Sequence, residues 1–383
     1  MLAWSKLFKA ECKAIFSNVP LLVTVFFGVV FYSFLYPLPY AKQTPHNLPI
    51  VVVDKDNSAL SRQLIRMIDA TPEVNVLSTV NSVAEAQDSL AQEQTKGYLI
   101  VPSHFSKQLI MGEIPTLNYG GDGSLFLVFG TIVEGISYSV GTLTASIKVQ
   151  QSIIAGDNIN HAVKGYDAIK LDLKPVYNPT IGYQNYVVPA VFILILHQTL
   201  LIAVGLVGAD QKRSKIDITA TKPYWLIAPL WQLLLVRFVM FVAIYIPLSA
   251  YYLGAALVYY DVPRLADMGD IVLITLPFLL AVIALGICLG CLIDKKENVT
   301  LVVLLSSLPL VFLAGFIWPT ESIPLLLNAS AQFIPSTAAI SMYLHSNQMG
   351  AGLSQVMTQI HQLWALVLLY VLISFYLLSK ARQ

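Results

Sequence analysis

With 383 residues, 56% of them hydrophobic, 12% charged and a net charge of +1, the chain is too apolar for a water-soluble globule and too long for a single domain. The net charge carries no signal by itself; what matters is where Lys and Arg fall along the chain, and nothing in that distribution points to nucleic acid. Three cysteines, Cys12, Cys288 and Cys291, build no disulfide framework; Cys288 and Cys291 sit in the apolar run LGICLGCLI and read as small helix-packing residues rather than a zinc site.

Residues 1–18 place Trp4, Leu7, Phe8 and Ile15 near one helical face and Lys6, Lys9 and Lys13 on another, the pattern of an amphipathic helix in the cytoplasmic interface. The basic start and the following apolar run read as an uncleaved anchor, the first span (19–41), which closes at Pro37 and Pro39. Residues 42–180 then change to a soluble composition. LPIVVVDKD from Leu48, VNVLSTV from Val74, GYLIVP from Gly97 and PTLNYG from Pro115 read as strands, alternating with helices over Ser58–Ala70, after a capping box at Ser82–Glu85, and over His104–Met111. This predicts a small inserted α/β domain outside the cytoplasm. Asp54 and Asp56, at a strand end, read as caps rather than as a paired-carboxylate site.

The run 124–154 is long and apolar enough to pass for a span. Were it one, every later segment would invert, and the basic residues Lys212, Arg213, Lys215, Lys222, Lys380 and Arg382 would lie outside, against the positive-inside bias. It is therefore expected to be a long helix packed on the insertion. Five spans follow within 181–383: from Tyr183, within Ile227–Leu257, over Ile271–Ile293, from Val299 to Pro319, and from Leu363 to Leu378. The predicted fold is an α-helical membrane protein of six transmembrane helices with an inserted α/β extracytoplasmic domain and both termini cytoplasmic. Leu301–Pro335 is expected to organise the chain, as a span followed by a re-entrant segment over 319–335.

No phosphate loop, dinucleotide fingerprint or H-E-x-x-H motif is present, so the chain is expected to hydrolyse no ATP itself and to bind no metal or cofactor. Polar residues within spans are costly and mark candidate sites. His197 and Gln198 lie mid-span, with Asn185 and Gln184 near its outer mouth; each fits a substrate path or a hydrogen bond between packed helices. Arg237, inside the third span, is expected to snorkel to the headgroups or to pair with a partner protein.

The IVVVDKDNSALSR opening of the insertion, YNPT and YQNYVVPAVFILIL over Tyr177–Leu196, AGFIWPTESIP over Ala314–Pro324 and FIPST over Phe333–Thr337 come in an order and spacing that resembles the permease subunits of bacterial type 2 ATP-binding-cassette exporters, in the subgroup with a large periplasmic insertion between the first two spans. The resemblance implies a half-transporter in the inner membrane, paired with a second permease as a homodimer or paralogous heterodimer. A separate ATPase subunit would carry ATP and Mg, and a periplasmic membrane-fusion adaptor is a further possible partner. It also implies a coupling loop at 208–229, with Lys212, Arg213, Lys215, Asp217 and Thr219 facing the ATPase; the usual acidic residue ahead of a Gly-Thr pair is represented only by Asp217 and Thr219, and the Gly is missing. Phe316, Trp318 and Glu321 would line an outer gate, with His197 and Gln198 deeper and an amphipathic or lipid-like molecule moving outward. Two rivals stand beside this reading: a membrane receptor or scaffold that binds ligand through its insertion, and a proton-driven transporter with His197 as relay. The latter calls for paired carboxylates within spans, which the sequence lacks.

Overall fold

A computed structural model describes residues 4–41, 45–156, 158, 176–178, 182–216 and 223–382, without the side chains of 126 and 214–216. The chain divides into two compact units, Met1–Gln43 with Pro175–Gln383, and Thr44–Lys174.

In the unit Thr44–Lys174, β1 (Leu48–Asp54), β2 (Val74–Val80), β3 (Gly97–Val101) and β4 (Asn118–Gly121) form one sheet in the order β2-β1-β3-β4. β1 pairs in parallel with β2 and β3, while β4 runs antiparallel to β3. The unbroken apolar run of β1 follows from its central place: Ile50 and Val52 are buried on one face, Val51 and Val53 on the other. Asp54 ends the strand two residues earlier than the sequence suggests, because its Oδ1 accepts the backbone N–H groups of Asp56 and Asn57 at 3.1 and 3.0 Å and its Oδ2 the Ser61 hydroxyl at 2.7 Å. Ser58 caps α3 (Ala59–Asp69) through a reciprocal bond with Ser61. Asp56 acts at a distance, accepting the N–H of Ser106 in the first turn of α5 (Phe105–Ile110). At α4 (Val83–Ala91) the cap is Ser82, as expected, but the Glu85 carboxylate returns to the N–H of Asn81, one residue before the cap.

The long helix α6 (Phe126–Ile154) belongs to this unit. It buries Ile132, Ile136 and Leu143, with Val140 and Ile147 partly buried, in a stripe at helical spacing against Leu64 and Ile68 of α3 and Leu99 of β3. Gly135 allows the approach, since a Cβ there would meet Val74 at 3.0 Å and Thr71 at 3.1 Å.

The other unit is helical. α1 (Trp4–Phe16) precedes α2, which winds as Val19–Leu22, a π-helical stretch Val23–Gly28 and Val29–Leu35. Beyond the insertion come α7 (Gln184–Ile216), the short α8 (Tyr224–Ile227) and α9, which runs as Leu230–Ala250, a π stretch Tyr251–Ala256 and Leu257–Tyr259. Then follow α10 (Met268–Leu292), α11 (Lys296–Leu313), α12 (Leu325–Ala331), α13 (Pro335–Tyr343) with a π stretch Leu344–Gln348, and α14 (Met357–Arg382). Within 319–335, where the sequence departs from a plain span, lies the short helix α12, set off by Pro324; α13 begins at the last residue of that segment, Pro335.

Among the described residues seven helices are long and apolar enough to cross a membrane: Val19–Tyr40, Leu127–Ile154, Gln184–Arg213, Leu230–Tyr259, Met268–Leu292, Lys296–Leu313 and Leu353–Arg382. Six are in the helical unit, and the seventh is the helix packed on the sheet. The organising element is not Leu301–Pro335 but α7. Burial covers 94% of its most apolar window against 17% for the helix Lys296–Leu313, because α7 is apolar all round while α11 leaves Leu301, Leu305 and Leu308 exposed. α7 and α10 cross at close range through glycines: a Cβ on Gly208 would lie 2.9 Å from the Gly290 Cα, and one on Gly290 2.8 Å from the Gly205 carbonyl oxygen. Cys288, on the same helix, meets Ser374 of α14 at 3.2 Å, so it packs helices as its context suggests.

Candidate functional site

α1 buries Leu7, Glu11 and Ile15 at four-residue spacing, and Trp4 meets Trp231 of α9 edge-on at 5.4 Å between ring centres. An acid on the apolar stripe of such a helix needs a partner, and Glu11 has one. Its Oε1 accepts Arg237 Nε at 2.6 Å, and both side chains are fully buried. Arg237 Nη2 also donates to Gln211 Oε1 at 2.8 Å; Gln211 Nε2 donates to the Tyr224 hydroxyl at 2.9 Å; and Tyr224 donates to Glu11 Oε2. Burial, and next the Glu11 carboxylate, push the Tyr224 phenol well above its ordinary range, so it remains a proton donor. Arg237 therefore neither snorkels nor waits for another protein: four side chains from α1, α7, α8 and α9 close a ring around one buried ion pair.

Two members of the ring, Gln211 and Tyr224, fall within the segment 208–229 expected to couple to a partner, of which 208–216 is the end of α7 and Tyr224–Ile227 is α8. Gln211 lies before residues 217–222 and Tyr224 after them; Asp217, Thr219 and Lys222 are outside the described residues, as is the side chain of Lys215. Asn18 adds a second tie, capping α2 at the Leu21 N–H while donating to Asp210 Oδ2 at 2.6 Å. Between these elements lies a groove of about 580 Å³ whose walls include Ser17, Asn18, Asp210, Tyr224 and Lys296. The basic residues on the loop's near side divide. Lys212 is committed within the chain, to Asp294 and to the Cys291 carbonyl at 3.2 Å, whereas Arg213 is exposed.

The residues expected along a substrate path fall in separate places. His197 is 1% exposed, with neither ring nitrogen hydrogen-bonded, deep in the packing of α7. Gln198 donates to Ser307 of α11 at 2.7 Å, a bond between packed helices. Asn185 is twelve residues nearer the start of α7, about 18 Å along the axis, and donates to Asn178 Oδ1 at 2.9 Å; Gln184 donates to the Tyr260 carbonyl at 2.8 Å. Phe316 is buried in the helical core, while Trp318 and Glu321 are exposed beyond α11.

Sequence reasoning missed Glu11, Gln211 and Tyr224. The available signals were the position of Glu11 midway between Leu7 and Ile15, and a lone Arg in an apolar span, which must find an anion or leave the membrane. Among the described residues no cluster of His, Cys, Asp and Glu could hold a metal ion. The model of the ABC-2 family transporter proteins matches residues 20–376. No curated protein matches the chain.

Proposed function

This chain belongs to the ABC-2 family of transporter proteins, and on that premise we propose that it is the permease half of an ATP-driven exporter for an amphipathic or lipid-like molecule. As a multi-pass permease of this family it works with an ATP-binding-cassette ATPase subunit. In the proposed assembly that subunit binds ATP and Mg and does the hydrolysis, while this chain does no chemistry of its own. Six helices of the helical unit span the inner membrane of a bacterium, the α/β unit lies on the periplasmic side, both termini are cytoplasmic, and a second permease completes the pathway. An adaptor would meet the α/β unit.

The observation that carries this reading is the buried ring. It joins the amphipathic α1 to the end of α7, to α8 and to α9, and in the proposed cycle a push delivered within 208–229 passes to α1, α7 and α9 together. Arg213, exposed at the end of α7, offers the ATPase a cation; Lys212 fixes the helix end to the turn before α11. Exposed Leu301, Leu305 and Leu308 suit α11 to lipid or to the second permease.

Solubilised from its own host, the chain is expected to bring down an ATP-binding-cassette subunit with ATPase activity. Arg213→Glu combined with Lys215→Glu is expected to weaken the association by about tenfold, roughly 1.4 kcal/mol, without changing the amount of folded permease. Purification free of any ATPase would reject the exporter and favour a receptor that uses the α/β unit alone.

A further inference from the structure

We propose that the unit Thr44–Lys174 is itself a ligand-binding module, which holds the hydrocarbon chain of a single-chain amphiphile between its sheet and α6. The space is a cleft of about 630 Å³, open to solvent along one side, whose floor is the buried Leu64, Leu99, Phe105 and Leu143 and whose edge carries the exposed Ser137, Gly141 and Lys148 of α6. That volume suits a small-molecule site, and an apolar ligand that covers the apolar floor takes that surface out of water.

Shape and polarity specify the occupant. The α6 residues on the wall run from Val133 to Gln151, a rise of about 27 Å at 1.5 Å per residue. A volume of 630 Å³ spread over that length leaves a mean section of roughly 23 Å², which fits a slender alkyl chain and not a fused ring system. The charged side chains collect at one end. Glu113, Lys148 and Gln151 line the cavity there, and Gln151 Nε2 holds the end of α5 by donating to the carbonyls of Leu109 and Ile110 at 3.1 and 3.3 Å. Beside them Ile110, Met111 and Ile114 project into solvent, Ile114 with 93% of its surface exposed. A mouth with an apolar lip and a charged rim receives a molecule that has an apolar tail and a polar head. Tyr119 also lines the cleft, its buried hydroxyl without a hydrogen-bond partner among the described residues, and burial pushes that phenol up to about 12. Gly141 is exposed on the edge of the cleft with open space where a Cβ would stand.

The inference stands apart from transport, and its test needs no ATPase. The full chain in phosphatidylcholine nanodiscs is irradiated with a diazirine-bearing palmitic acid, and labelled peptides are mapped by mass spectrometry. Label is expected in peptides carrying Leu109–Leu117 and Ile136–Gln151, saturating at roughly one probe per chain. Gly141→Phe, which puts a ring into the open space, is expected to cut that label by about tenfold with the thermal unfolding midpoint unchanged; Ser137→Trp does the same from the exposed position one helical turn earlier and serves if the first variant folds poorly. Competition by unlabelled palmitate or by lysophosphatidylcholine tells whether a free acid or a lysolipid is preferred, and displacement by either supports the site. Label confined to the membrane-spanning helices, or label at the cavity indifferent to both variants, would overturn it.

Discussion

Glu11→Ala is expected to cost about 3–5 kcal/mol of stability, far more than its place in an N-terminal interface helix suggests. Arg237 is fully buried, and Glu11 is the only carboxylate among its described partners. Removing it leaves a guanidinium shielded from water with Gln211 as its remaining described bond. Arg237→Met alone is expected to be costly too, because the buried Glu11 carboxylate then has only the neutral Tyr224 hydroxyl and Gln211 amide as described donors. The double change Glu11→Leu with Arg237→Met takes both charges away and is expected to recover most of the loss, since an apolar pair of similar volume often replaces a buried ion pair at no cost. Unfolding midpoints of the four proteins in nanodiscs measure this. Four equal midpoints would show that the pair holds nothing. A double variant that regains its stability but no longer stimulates the partner ATPase would assign the ion pair to coupling rather than to folding.

Gly290→Val is expected to destabilise the helical unit by about 3 kcal/mol or more. The new Cβ would stand 2.8 Å from the Gly205 carbonyl oxygen and 2.9 Å from the Gly208 Cα. Both neighbours are backbone, so no side chain can turn aside, and α7 and α10 must part along a contact built for small residues. A Cβ on Gly286, one helical turn earlier, would meet the Val204 Cβ at 2.7 Å, and Gly286→Ala with Val204→Gly is expected to be tolerated better than Gly286→Ala alone because the atom in the way has been removed. The monodisperse fraction on size-exclusion chromatography and the unfolding midpoint report both. A Gly290→Val protein as stable as the parent would mean that the two helices do not meet at this distance.

The sheet was legible because its cues are local. A β strand of Val and Ile, a Ser cap and a turn acid all act within a few residues, and Leu48–Asp54, Ala59–Asp69 and Val74–Val80 fall close to where these cues put them. Helix 126–154 is the instructive case. Length and composition alone class it with the spans, and only the placing of Lys and Arg elsewhere argued for the packing on Leu64, Ile68 and Leu99 that the structure shows. The ring around Arg237 was not legible, since Glu11 and Arg237 are 226 residues apart and no periodicity links them. The G-x-x-x-G spacing of Gly286 and Gly290 stood in plain view, yet spacing does not say which helix lies across it. The gate residues were grouped because they follow one another in the chain, whereas burial separates Phe316 from Trp318 and Glu321.

The π-helical stretches Val23–Gly28, Tyr251–Ala256 and Leu344–Gln348 bear on which lengths of chain this molecule accepts. The second is held against α2: Tyr251 shares a hydrogen bond with Ser33 at 2.8 Å, and Tyr252 donates to the Val29 carbonyl, just beyond the first π stretch, at 2.7 Å. A π turn holds one residue more than the α-helical turn it interrupts. Deleting a residue inside such a stretch lets the helix rewind as α with both flanks still facing their old neighbours. The same deletion in the regular part of α7 or α9 rotates everything beyond it by about 100° and takes a buried face out of the core. These helices therefore each carry a spare residue at a fixed address, and losses of single residues during descent from a common ancestor are survivable there and ruinous a turn or two away.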